Sequence, residues 1–160
     1  MVSLQHVHEV RPDEFDDLIQ VWEASVRATH DFVEEVDIQF FKPIVRNQAL
    51  PSVTLRCVRG SDNHAVGFIG VSNGKIEMLF IRPEYRGQGL GKTLIRYALQ
   101  HLDASELDVN EQNEQAIGFY QRMGFVVVGR SEADGMDKPY PLLHMRFSVN
   151  KASKQENGTK

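Results

Sequence analysis

The chain has 160 residues, 41% of them hydrophobic, a single cysteine and a formal net charge of −4. This length suits one domain with a sizeable core, and the acidic balance argues against a nucleic-acid-binding face, which needs clustered Lys and Arg. The first residues have neither the basic nor the apolar region of a secretion signal, and no apolar run is long enough to span a bilayer, so a cytoplasmic protein without a membrane partner is expected.

Residues 4–10 alternate loosely between apolar and polar and predict a first strand. Pro12-Asp13 can open a helix, and Phe15, Leu18, Ile19, Trp22 and Val26 recur at helical spacing up to about Thr29. A second helix is predicted over residues 38–48, before Pro51. Thr54–Arg59 and Ala65–Ser72 read as strands, and Asn73-Gly74 is a two-residue hairpin turn into a third strand, Lys75–Ile81. Cys57 falls in the first of these strands and has no second cysteine to pair with. A glycine-rich turn then leads to a helix marked by Leu94, Ile95, Ala98, Leu99 and Leu102. A short strand over 107–109, a helix over 116–123 closed by Gly124, and strands over 125–129 and 142–149 complete the pattern. Residues 150–160 are polar and predict a disordered tail behind a domain of residues 1–149. The order predicts an α/β (α+β) domain with a mixed, mostly antiparallel sheet of about six to seven strands and about four helices.

The most informative stretch is Arg86-Gly87-Gln88-Gly89-Leu90-Gly91-Lys92, between an apolar strand and an amphipathic helix. Glycines let the backbone approach an anion closely, and a helix N-terminus adds unpaired N–H groups and a positive dipole end. The turn is therefore expected to hold a pyrophosphate, with Arg86, Lys92 and Arg96 available for its charge. It is not a dinucleotide fingerprint, because Lys92 stands at the third glycine position, and not a Walker loop, because Arg86 stands at the first.

The turn resembles motif A of the GCN5-related N-acetyltransferases, Arg/Gln-x-x-Gly-x-Gly/Ala, through Arg86, Gly89 and Gly91. Residues 113–125 resemble that family's second signature, N-x-x-A-x-x-F-Y-x-x-x-G-F, at every specified position. The resemblance runs over about residues 3–148, and Thr29-His30-Asp31-Phe32 and residues 138–143 look like the YjaB-type bacterial acetyltransferases. It implies acetyl-CoA as cosubstrate, held at the pyrophosphate by backbone amides from Gly87 through Gln88, Gly89, Leu90 and Gly91 to Lys92, and along its pantetheine arm by Leu79, Phe80 and Ile81. It also implies a cleft between splayed strands, Lys75–Ile81 and 107–109, and an amide near Phe80 facing the thioester carbonyl.

Acetyl transfer needs a proton for the departing thiolate, and Tyr120 is the candidate donor because a phenol lies close to a thiol in acidity. Asn113 is expected to fix the cofactor or to cap the helix that follows it. Glu77, a carboxylate within an apolar strand, is the candidate proton acceptor for the incoming amine, with His30 and Asp31 competing for that role or for binding the substrate. Tyr140 and His144 are candidates to line the acceptor pocket. His6, His8 and His101 have no companions at metal-ligand spacing, so no metal is expected. The resulting expectation is an N-acetyltransferase, monomer or homodimer, in which a primary amine attacks bound acetyl-CoA directly. Glu34, Glu35 and Asp37 favour a small cationic amine as acceptor, with a protein N-terminus or lysine as the alternative and a non-enzymatic acyl-CoA sensor as the rival.

Overall fold

The structure, a computed structural model, describes residues 6–29, 34–134, 137 and 139–148. His30, Asp31 and the expected tail lie outside these residues. Among the described residues there are seven strands and four α-helices, in two compact units that divide after Ala104. This is the α/β class, with the number of elements, that the sequence predicts.

In the first unit, strands β1 (His8–Glu9), β2 (Thr54–Arg59), β3 (Ala65–Ser72) and β4 (Lys75–Ile81) lie in that order, each antiparallel to the next. Three helices accompany them: α1 (Phe15–Thr29), α2 (Glu35–Ile44) and α3 (Leu90–His101). Residues 65–71 are buried without a break, as expected of a strand covered on both faces, and both α1 and α3 pack on β3. Leu18, Trp22 and Val26 of α1 form one core cluster with Ile38, Leu55, Cys57, Phe68 and Met78.

Two expectations need correction here. Of the predicted first strand, residues 4 and 5 lie outside the described residues and only His8–Glu9 of residues 6–10 is strand; it ends there because the Arg11 N–H turns to Glu14 Oε1 at 3.0 Å and the chain enters a 3-10 turn, Pro12–Glu14, ahead of α1. The second helix begins at Glu35, three residues before the predicted start, with Glu35 and Asp37 in the first turn where the helix dipole favours acids. Pro43 sits inside α2 and cannot donate its rung of the helical ladder, and a π turn, Val45–Ala49, follows it.

The second unit holds β5 (Glu106–Asn110), α4 (Glu114–Met123), β6 (Phe125–Ser131) and β7 (Leu142–Phe147). β7 lies between β5 and β6 and is antiparallel to both. Leu107, Val109, Phe125 and Met145 are its buried apolar residues. Helix α4 packs on β6, with the Tyr120 ring 5.9 Å from that of Phe125.

Candidate functional site

After β4 the chain makes a 3-10 turn, Pro83–Tyr85, and enters the glycine stretch. Gly87 and Gly89 have φ of +79° and +82°, the left-handed region that costs an L side chain strain. A Cβ at either would meet no atom within 4 Å, so glycine serves the backbone angle there and not a close contact. Gly89 is the N-cap of α3, and its carbonyl receives the first helical bond, from Thr93 N at 3.0 Å. The amides of Leu90, Gly91 and Lys92 therefore precede the helical ladder and are free for an anion. Leu90, Leu94, Ile95 and Ala98 bury the inner face of α3 and hold this end of the helix in place. An open turn with free amides fits the diphosphate of coenzyme A.

Arg86 is drawn back from the turn, its guanidinium donating to Ser25 Oγ of α1 at 3.2 Å. That tie is invisible in the sequence, where the two residues are 61 positions apart.

On β4, Ile81, Phe80 and Leu79 pair with Gly67, Phe68 and Ile69. Below them the register slips: Met78 faces Gly70 and Ile76 faces Val71, so Glu77 is an extra residue in a β-bulge. Its side chain is exposed, and among the described residues it has no hydrogen-bond or ion-pair partner.

Helix α4 starts as its signature suggests. The Asn113 side chain accepts from Ala116 N at 3.1 Å, a helix cap, and Gly124 closes the helix with a left-handed φ of +109°. Tyr120 and Phe119 are partly buried side by side, with ring centroids 5.4 Å apart. Burial pushes the Tyr120 phenol above its ordinary value.

His144 on β7 is held at both ring nitrogens: Nδ1 lies 2.6 Å from Asp108 Oδ1 on β5, and Nε2 lies 2.7 Å from Ser131 Oγ on β6. The sequence singled out His144 but neither of its partners, since only strand register brings residues 108, 131 and 144 together. Tyr140, partly buried, leads into β7. Of the acidic group at the start of α2, Glu35 is engaged by Arg27 at 2.6 and 3.0 Å and by Gln39 at 2.9 Å, and these bonds hold its carboxyl down to about 2. Cys57 is fully buried, and desolvation pushes its thiol up to about 11, a strand residue without nucleophilic character. Among the described residues, no group of three or more His, Cys, Asp or Glu could hold a metal ion.

Residues 29–148 match the family model described as the acetyltransferase (GNAT) domain. The chain is 41% identical over 142 residues to the peptidyl-lysine N-acetyltransferase YjaB of Salmonella typhimurium, covering 89% of this chain and 97% of that protein. The solution structure of the apo form of YjaB from Escherichia coli superposes with a TM-score of 0.80 at 38% identity, covering 92% of this chain and 97% of that one. A PaiA N-acetyltransferase from Thermoplasma acidophilum, solved in complex with coenzyme A, shares the fold with a TM-score of 0.67 at 20% identity, covering 89% of this chain and 98% of that one. Together with the glycine turn and the second signature, these matches show that the chain belongs to the GCN5-related N-acetyltransferases, acyltransferases that use acetyl-CoA.

Proposed function

We propose that this protein transfers the acetyl group of acetyl-CoA to the ε-amino group of lysine residues in other proteins. The observation that carries the acceptor is the 41% identity, over nearly the whole length of both chains, to a relative named as a peptidyl-lysine N-acetyltransferase. The small cationic amine favoured by the acidic residues at the start of α2, Glu34, Glu35 and Asp37, is the second reading. It loses weight because Glu35, the middle one of those three residues, is already engaged by Arg27.

In this reading the free amides of α3 and of the turn before it bind the diphosphate, and the backbone of Leu79, Phe80 and Ile81 pairs with the extended pantetheine arm. The lysine nitrogen attacks the thioester carbon directly, with both substrates bound and no acetylated enzyme. An amide near Phe80 donates to the developing oxyanion, an interaction worth roughly 10²–10³ in rate where such a donor is in place. Tyr120 gives its proton to the sulfur as the carbon–sulfur bond breaks.

The test is to incubate the purified chain with acetyl-CoA and, separately, an N-terminally blocked peptide bearing one lysine and spermidine, following thiol release and product mass. Acetylation of the peptide with a kcat/KM well above that for spermidine is expected. The opposite preference would move the acceptor to small amines.

A further inference from the structure

The acetyl-transfer reading requires that a lysine ammonium, charged at neutral pH, lose a proton before it attacks. Glu77 is poorly placed to take that proton, because it is exposed on a bulge and among the described residues nothing orients it. The second unit contains a better arrangement. Asp108 faces His144 across the β5–β7 ladder, and Gly129 faces His144 across the β6–β7 ladder. Val128 is the extra residue of a bulge in β6, which brings Gly129 and then Ser131 onto the His144 side. A Cβ at Gly129 would stand 3.3 Å from His144 Cδ2, so the missing side chain leaves the imidazole room to lie along β6.

The hydrogen bonds define a direction for the proton. An ionised carboxylate only accepts, so Asp108 takes the Nδ1–H of His144 at 2.6 Å. That leaves the Nε2 lone pair to accept the Ser131 hydroxyl at 2.7 Å, the tautomer a general base requires. The chain of groups is not sealed, since the side chains of His144 and Asp108 retain 36% and 21% of their exposure. His144 alternates with buried Met145, so it lies on the opposite face of the sheet from Phe125, the residue that meets Tyr120 of α4. A proton donor for the thiolate and a proton acceptor for the amine are thereby kept on different faces. The other charged groups on these strands are Glu106 and Arg146, paired at 3.9 Å, and Arg130, held by Glu111 and Glu132.

We propose that Asp108, His144 and Ser131 form the relay that deprotonates the acceptor amine, a role that rests on the acetyl-transfer reading. The ammonium gives a proton to Ser131 Oγ as the Ser131 proton passes to His144 Nε2. The imidazolium so formed is held against Asp108, and the freed lone pair attacks the thioester carbon; as the carbon–sulfur bond breaks, Tyr120 protonates the sulfur, the nitrogen's second proton returns to the Tyr120 phenolate, and water later takes the proton from His144.

The test compares the intact chain with its H144Q, D108N, S131A and E77Q variants, using acetyl-CoA and the blocked lysine peptide. In H144Q, kcat/KM is expected to fall about 10²-fold, through kcat, with acetyl-CoA affinity unchanged. The deficit should shrink as pH rises towards about 10, where the lysine amine loses its proton unaided, a recovery that a merely structural defect would not show. D108N and S131A should each lose about tenfold, the low end of general-base effects when part of the relay survives. Nitrogen-15 NMR of the wild-type imidazole should show the Nδ1–H tautomer. An Nε2–H tautomer, a loss confined to KM, or a deficit that appears in E77Q while H144Q remains active overturns the relay alone. A wild-type chain that binds acetyl-CoA yet acetylates neither the peptide nor spermidine overturns the transfer reading, and with it the role of the relay.

Discussion

Substitutions at one tyrosine and one glutamate would separate chemistry from scaffold at the scale of single residues. Tyr120→Phe keeps the ring packed between Phe119 and Phe125 and removes only the acidic proton. The expected outcome is a kcat lower by about 10²-fold with acetyl-CoA affinity within twofold, read by calorimetry and thiol release. Unchanged turnover would remove Tyr120 from the proton path. Glu14 offers a test of stability instead. It is 7% exposed and receives both carboxylate bonds, at 2.8 Å, from the Arg59 guanidinium. Burial by itself would raise its carboxyl, but the Arg11 N–H and Arg59 outweigh burial and hold it below the ordinary value of 4.5. The unfolded chain therefore takes up this proton first as pH falls. The stability Glu14 contributes is complete above about pH 4.5 and drains away below it. Glu14→Gln should reduce the loss of urea resistance between pH 7 and pH 3.5, and Glu14→Ala, leaving Arg59 buried and unpaired, should cost roughly 3 kcal/mol at pH 7.

Two helix N-termini carry the predictions at the scale of elements. The turn into α3 depends on backbone angle: Gly89→Ala puts a Cβ on a residue with φ of +82° and should cost about 1 kcal/mol of stability. Because that substitution disturbs the amides proposed to bind the diphosphate, it should also weaken acetyl-CoA binding by tenfold or more, an order of magnitude for about 1.4 kcal/mol of lost interaction. Binding that stays unaltered in a folded Gly89→Ala protein would place the diphosphate elsewhere. The turn into α4 depends on a side chain. Asn113→Ala removes the acceptor for Ala116 N and should destabilise by about 1 kcal/mol, measured in urea, whether or not cofactor is present. A loss seen only in cofactor affinity would assign Asn113 to the ligand instead of the cap.

For the whole molecule, the class of fold and the glycine turn at the start of α3 were legible along the chain, because each is written in local periodicity. The Asn73-Gly74 hairpin, the stripe on α1 and the glycine turn before α3 are consecutive residues whose backbone preferences act without help from elsewhere. Element limits were less legible where a side chain fixed from a distance competes for the backbone, as Glu14, held by Arg59 from 45 positions away, does for the Arg11 N–H at the end of β1. Acceptor choice is also a property of the whole surface, so the peptide-against-spermidine comparison belongs at this scale.

By itself, then, the sequence determined an acyltransferase of this family, the glycine turn before α3 and the helix bearing Tyr120, since these rest on short-range spacing. Only the tertiary structure decided which side chains far apart along the chain are joined. Arg86 reaches back to Ser25, Glu14 is locked to Arg59, and Asp108 and Ser131 meet at His144. Strand register and a bulge set the meeting at His144, and a slip of one residue would turn each of those three strand side chains to the opposite face.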